Sequence, residues 1–408
     1  MKRIVVNGGI PLHGEITVSG SKNAALPIIF ACILTNGVSE IEDLPNIGDV
    51  RVALDLLRSF GALIESHGRI TFIDTRELSY TSPDLCLVEK IRASTYLLGS
   101  CLSRFGRCPI MSFGGCNFSS RPIDMHIAAC IALGARMDNE TLSCDRLKGG
   151  IIEFDKASVG ATVNAILLSA SAEGETFIRG CAVEPHIDAL ISFLNSCGAS
   201  VVRQGRDVRI VGKELHGGKI RVIGDMIEAG SYIAIGLMTG GNIKLLNTPV
   251  ADMKAVLHSL SEMGVEISFL NHSLEASLSE SRFLSITASP YPGFPTDLQP
   301  IMAPLLARNS GGEIIEEVWR DRFGYLKTLS AFGIGSTVDR NCAQIYHSVI
   351  HNAIVTVPDL RGGMAALMCA LSSKGRSEIY SAETILRGYE NLEEKLRAVG
   401  AEIEIENI

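Results

Sequence analysis

Val38-Ser39-Glu40-Ile41-Glu42-Asp43-Leu44-Pro45-Asn46-Ile47-Gly48-Asp49-Val50-Arg51-Val52-Ala53-Leu54-Asp55-Leu56-Leu57-Arg58-Ser59-Phe60-Gly61-Ala62 holds one complete unit of local structure. Val38-Ser39-Glu40-Ile41 reads as a short strand, and Leu44-Pro45-Asn46-Ile47-Gly48 carries the residues of a turn. Asp49 opens a helix whose Val50, Leu54, Leu57 and Phe60 share one face, and the unit closes on Gly61-Ala62. That closing returns as Gly134-Ala135, Gly198-Ala199, Gly264-Val265, Gly333-Ile334 and Gly400-Ala401, roughly every 65 to 70 residues. The strand returns as Thr176-Phe177-Ile178, Ile243-Lys244-Leu245-Leu246, Glu313-Ile314-Ile315 and Ser377-Glu378-Ile379-Tyr380. The chain is therefore expected to be six copies of one α/β unit.

Upstream of each unit lies a stretch that is apolar on every side and rich in Ala and Gly: 24–34, 93–102, 161–172, 229–237, 298–306 and 363–371. A helix with no polar face belongs in an interior, and its small residues let neighbours approach closely. Six buried helices wrapped by amphipathic helices and short strands imply a pseudo-symmetric domain of three units, made twice. Segments such as Val208-Arg209-Ile210-Val211 alternate enough to sit in mixed sheets.

Polar residues collect at the starts of these apolar helices. Lys22-Asn23 precedes the first and Arg92 the second, Lys156 and Ser158 the third, Asp225 and Glu228 the fourth, Asp297 the fifth, Asp359 and Arg361 the sixth. Each alone has a plain reading: Ser158 or Asp359 serves as an N-cap, and Asp225 closes a helix end. Together they suggest helix N-termini that converge on an anion.

A second stretch carries reactive groups: Gly114-Gly115-Cys116-Asn117-Phe118-Ser119-Ser120-Arg121-Pro122-Ile123-Asp124-Met125-His126. It reads as a loop bearing a catalytic cysteine and a phosphate-binding arginine, followed by a helix over 122–133. The competing reading makes the cysteine a small buried hydrophobe and His126 a structural imidazole.

Composition sets limits. The 408 residues allow two or three domains, and 46% hydrophobic content with a mean hydropathy of +0.25 describes a globular chain. A net charge of −8 argues against nucleic acid and anionic membrane as partners, so an anion site must be a local gathering of Lys and Arg. Eleven cysteines contain no Cys-x-x-Cys pair and no metal-ligand spacing, which fits free thiols in a reducing cytoplasm. The N-terminal Asn7-Gly8-Gly9 interrupts any signal-peptide apolar core, and the longest apolar stretch is too short for a bilayer.

The ordered set of motifs resembles the enolpyruvyl transferases over nearly the whole chain. Ser21-Lys22-Asn23-Ala24, the Gly114-Gly115-Cys116 loop with Arg121-Pro122-Ile123-Asp124-Met125, and Lys156-Ala157-Ser158-Val159 follow in the family's order. Phe294-Pro295-Thr296-Asp297, Asp321-Arg322-Phe323, Asp359-Leu360-Arg361 and Arg387-Gly388-Tyr389-Glu390 complete it. The resemblance implies two inside-out α/β barrel (prism) domains of three repeats each, over 21–223 and over 1–20 plus 224–408, with the active site in the cleft between them. It implies phosphoenolpyruvate and UDP-N-acetylglucosamine as substrates, no cofactor and no metal. By resemblance Cys116 is the proton donor, Asp297 the base, and Lys22, Arg121 and Arg387 hold phosphate. Arg322 and Arg361 gather carboxylate and developing charge. Asn23, Arg92, Arg121, Pro122, Ile123, Asp124, Met125, Lys156, Ala157, Ser158, Val159 and Val318 fall among the substrate contacts. The chain departs from the family at Phe118-Ser119, Glu89, Trp319 and Gly324-Tyr325-Leu326. Those departures leave another nucleotide acceptor, such as uridine monophosphate, or a catalytically silent paralogue as alternatives.

Overall fold

The computed structural model describes residues 1–114, 122–270 and 273–408. All six apolar stretches are helical: α1 Lys22–Ala31, α2 Leu97–Phe105, α3 Val159–Ser169, α4 Met226–Thr239, α5 Gln299–Arg308 and α6 Leu360–Ser372. Two differ from the expected outline. The residues from Arg92 to Tyr96 form a tighter 3-10 turn ahead of α2, and Cys32–Leu34 forms another after α1. Every residue of α6 is buried, as are all but the first of α4, so a one-sided apolar stripe is neither present nor needed.

The chain forms two compact units. Unit 1 contains Met1–Ser19 and Gly224–Ile408, and unit 2 lies within 20–223. In unit 1 each of α4, α5 and α6 packs on the other two. In unit 2, α2 packs on both α1 and α3. Small residues permit this closeness. A Cβ on Gly230 of α4 would stand 2.6 Å from a Leu298 methyl beside α5, closer than real Cβ contacts come.

Around the helices, five four-stranded sheets share one order among the described residues. In the first, Val38–Glu42 pairs parallel with Lys219–Arg221 on one side and antiparallel with Ile70–Asp74 on the other, and Leu63–His67 completes the edge. Glu175–Arg179 repeats the pattern with Ile151–Glu153, Asp207–Val211 and Ser200–Gln204. Gly312–Glu316 repeats it with Leu284–Ala288, Cys342–Ile345 and Ser336–Asp339. The other two borrow strands from the N-terminus. His13–Thr17 supplies the parallel partner of Asn242–Leu246, and Lys2–Gly8 lies between Gly375–Tyr380 and Glu402–Asn407. The remaining repeat has a three-stranded sheet, Arg107–Pro109, Thr141–Ser143 and Arg136–Asp138.

The amphipathic helix of the first repeat runs Gly48–Ser59 and buries Val50, Leu56 and Leu57. Its counterpart after the cysteine loop spans Asp124–Ala132, two residues later than the expected start at Pro122. None of the described helices is long and apolar enough to cross a membrane.

Candidate active site

The polar starts of the buried helices do come together within unit 1. Asp359 caps α6 by accepting from the backbone N–H groups of Arg361 and Gly362, and Asp225 caps α4 through Ile227 and Glu228. Asp297 does not cap α5. The residue ahead of that helix is Leu298, which offers no side-chain cap, and the Asp297 carboxylate instead meets two guanidinium groups. Arg322 donates from Nη2 to Oδ1 at 2.8 Å, while Arg361 donates to Oδ2 from Nη2 at 3.1 Å and from Nε at 3.3 Å. The two arginines are 6% and 5% exposed at the side chain and Asp297 is 31% exposed, so the carboxylate is the member that solvent-borne groups reach.

Arg361 also joins the third helix. Its Nη1 donates to Tyr389 Oη at 3.1 Å, its Cζ lies 5.5 Å from the Tyr389 ring centre, and Tyr389 Oη lies 2.8 Å from Ser231 Oγ in the second turn of α4. Burial works against the Arg361 charge, but Tyr389, Asp297 and Asp225 outweigh it and hold the guanidinium pKa above its ordinary value. Arg387 sits half-buried just after the short helix Glu383–Leu386, two residues before Tyr389. Glu228 is deeply buried beside Lys395, whose Nζ donates to Glu228 Oε1 and to Ser19 Oγ, both at 2.6 Å. Burial pushes the Glu228 carboxyl up, and Lys395 opposes that shift.

Unit 2 presents a different set. Lys22 opens α1 and lies 3.3 Å from Asp49 of the Gly48–Ser59 helix, with Asn23 half-buried beside it. Arg92 begins the 3-10 turn ahead of α2, and burial lowers its pKa. Ser158 caps α3 by accepting from Ala161 N–H, with Ala157 and Val159 half-buried beside it and Lys156 exposed. Pro122, Ile123, Asp124 and Met125 lead into the Asp124–Ala132 helix.

His126 belongs to the structural side of the two readings. Asn164 of α3 donates from Nδ2 to Thr95 O at 3.0 Å and lies 2.6 Å from His126 Nδ1, while its Oδ1 accepts from Gly99 N–H at 2.7 Å. With both Asn164 protons so directed, His126 Nδ1 is the acceptor and Nε2 carries the proton. Burial, with the positive charge of Arg92 next, pushes the imidazole down to about 4, so it is neutral at physiological pH.

Cys116 and Arg121, with the rest of 115–121, lie outside the described residues, as do the departures at Phe118 and Ser119. The sequence pattern marks Asp49 only as a helix opener and does not single out Asn164, Lys395 or Glu316. None carries a motif. Their partners come from other elements, and only a lone polar residue in an apolar run, as at Asn164, could have marked one.

Comparison with known proteins bears on the family and the fold. Residues 6–396 match the family model described as EPSP synthase (3-phosphoshikimate 1-carboxyvinyltransferase). The UDP-N-acetylglucosamine 1-carboxyvinyltransferase of Halothermothrix orenii is 37% identical over 411 residues, 99% of each chain. UDP-N-acetylglucosamine 1-carboxyvinyltransferase 2 of Staphylococcus aureus (strain MRSA252) is 36% identical over 414 residues, again 99% of each. The fold matches the enolpyruvyl transferase NikO from Streptomyces tendae with a TM-score of 0.90 at 24% identity, covering 100% of this chain and 99% of that one. It matches an EPSP synthase from Acinetobacter baumannii at 0.76 and 18%, covering all of both chains. With the repeats, the Asp297–Arg322–Arg361 cluster and this full-length kinship in hand, the chain belongs to the EPSP synthase family of enolpyruvyl (carboxyvinyl) transferases.

Proposed function

We propose that the chain transfers the enolpyruvyl group of phosphoenolpyruvate to the 3-hydroxyl of UDP-N-acetylglucosamine, releasing phosphate, as the first committed step of peptidoglycan synthesis in the cytoplasm. The observation that carries the chemistry is the Asp297 carboxylate, partly exposed and held between two buried guanidiniums at the start of three helices. The choice of acceptor rests on relatives of that name matching at 36–37% identity over the full length.

In this reading the reaction has two halves. Asp297 draws the proton from the sugar hydroxyl as its oxygen bonds to C2 of phosphoenolpyruvate, and Cys116 gives a proton to C3. The C2–O bond to phosphate then breaks, C3 returns a proton, and the double bond reforms, so one enolpyruvyl ether and one phosphate leave. Lys22, Arg121 and Arg387 serve the phosphate, and Arg322 and Arg361 the carboxylate and the charge that develops at C2. Arg92, the 122–125 and 156–159 segments and Val318 serve the nucleotide sugar. Cationic side chains suit a trianionic substrate in a chain whose net charge is −8.

Incubation with phosphoenolpyruvate and UDP-N-acetylglucosamine should release phosphate stoichiometrically with the enolpyruvyl ether. Release only with uridine monophosphate would overturn the acceptor, and release with neither would overturn the reaction. Covalent labelling by the epoxide fosfomycin should vanish in Cys116→Ser. Burial raises Cys130, Cys181 and Cys197 to about 12, which leaves them protonated at neutral pH, while Cys86 is exposed and is the control thiol.

A further inference from the structure

Glu316 ends the strand Gly312–Glu316 and is 2% exposed. Its Oε2 accepts from Thr296 Oγ1 at 2.7 Å, and its Oε1 accepts from the backbone N–H groups of Val318 at 2.8 Å and Trp319 at 3.1 Å. Burial raises this carboxyl, and Thr296, the two N–H groups and the charge of Arg322 pull the other way. A carboxylate withdrawn from water is costly, and this one is given donors from two separate segments.

Those segments are the ones that carry the proposed chemistry. Thr296 is the residue before Asp297. Val318 and Trp319 lead from the strand ending at Glu316 into the turn that contains Arg322, and Arg322 reaches Asp297 Oδ1 at 2.8 Å. The contacts close a ring: Glu316 to Thr296, along the chain to Asp297, across to Arg322, and back along the chain to Trp319. Glu316 ties the two limbs at the end of the ring opposite the Asp297–Arg322 pair, adding side-chain hydrogen bonds to the backbone pairing of Ala288 with Phe294 and with Glu316. A carboxylate between two arginines has many near-equivalent poses, and a base needs one of them.

We propose that Glu316, acting through Thr296, is the positioning residue that fixes the aim of Asp297 at the acceptor hydroxyl and the seat of Arg322 beside it. The proposal rests on the reading of Asp297 as the base. Neither Glu316 nor Thr296 need touch substrate. The consequence is selective: loosening the ring should slow the chemical step while leaving the gathering of substrates by other residues largely intact.

The test is steady-state kinetics on both substrates, with thermal unfolding in parallel, for four variants. Thr296→Val removes the donor and nearly keeps the shape, and is expected to lower kcat by about tenfold to 100-fold with KM changed by less than about twofold. Thr296→Ser keeps the hydroxyl and should recover most of the rate. Glu316→Gln keeps an acceptor for the two N–H groups and an amide that can donate to Thr296 Oγ1, so it should stay within about threefold of the parent kcat. Glu316→Leu should show the largest loss. Parent-level kcat in Thr296→Val would overturn the proposal, as would a rise in KM in place of the fall in kcat. If Glu316→Leu does not fold, the Thr296 pair decides. A parent protein that releases no phosphate fails the transferase reading and this proposal with it, whereas a parent that turns over alongside a fully active Thr296→Val fails the proposal alone.

Discussion

The two units repeat one plan and arm it differently. In unit 1 the converging helix starts hold matched charges: Asp297 with Arg322 and Arg361, Glu228 with Lys395, and Asp225 and Asp359 spent on N–H groups of their own helices. In unit 2 the caps are weaker in charge. Ser158 is a neutral cap, α1 has no side-chain cap, burial depresses Arg92, and His126 is kept neutral by burial with Arg92 nearby. Unit 1 is nearly self-compensated around the partly exposed Asp297 carboxylate, while unit 2 pairs Lys22 with Asp49 and sets Arg92 half-buried at its helix start. In the proposed reading the helix starts of unit 1 supply the base and the carboxylate contacts and those of unit 2 much of the nucleotide-sugar recognition, because residues at the helix starts contribute little to the apolar packing that makes the fold.

Four measurements break or sharpen that contrast. The largest effect is expected from Asp297→Asn, which keeps the shape and removes the proposed base. Its kcat should fall by about 10²- to 10⁴-fold with KM little changed, and a change confined to KM would place unit 1 on the binding side. Next comes Arg361→Met. It leaves the buried Tyr389–Ser231 contact without its cation and Asp297 with one guanidinium fewer, so urea unfolding should show a loss of about 3 kcal/mol. A loss within about 0.5 kcal/mol would mean the cluster adds nothing to the joining of the three helices.

A pH series tests unit 2. The folded His126 pKa of about 4 lies below its ordinary 6.5, so the unfolded chain binds more protons between those values. Stability is then fully present above pH 6.5 and is lost as pH falls through 4, by no more than about 3 kcal/mol. His126→Gln should remove that part of the slope, and an unchanged slope would assign it to other groups. The smallest effect is expected from Arg92→Ala. It should raise the KM for the nucleotide sugar about tenfold with kcat nearly kept, and a fall in kcat alone would dissolve the division of labour.

The repeats were legible because their signals are local. An apolar run with no polar face marks a buried helix, and a glycine at each closing supplies the positive φ seen at Gly61, Gly134, Gly198, Gly264, Gly333 and Gly400. Helix edges were less legible. The 3-10 turn from Arg92 to Tyr96 has nothing in its composition to separate it from α2. Among site residues, Asp297, Arg322 and Arg361 could be named from motifs but their mutual clasp could not, since 64 residues separate Asp297 from Arg361. Asp297, unlike Asp225 and Asp359, spends its carboxylate on two guanidiniums, and such charge-assisted hydrogen bonds are stronger than neutral ones.

Sequence alone determined that there are six α/β units with apolar helices inside them, since periodicity and side-chain hydrophobicity are properties of neighbours along the chain. Only the tertiary structure decided which strands Lys2–Gly8 and His13–Thr17 pair with and in what register, and that Glu316, Thr296, Asp297 and Arg322 form one ring. Strand pairing and buried charge compensation depend on which distant segments offer a free edge or an opposite charge, and that is settled when the helices pack.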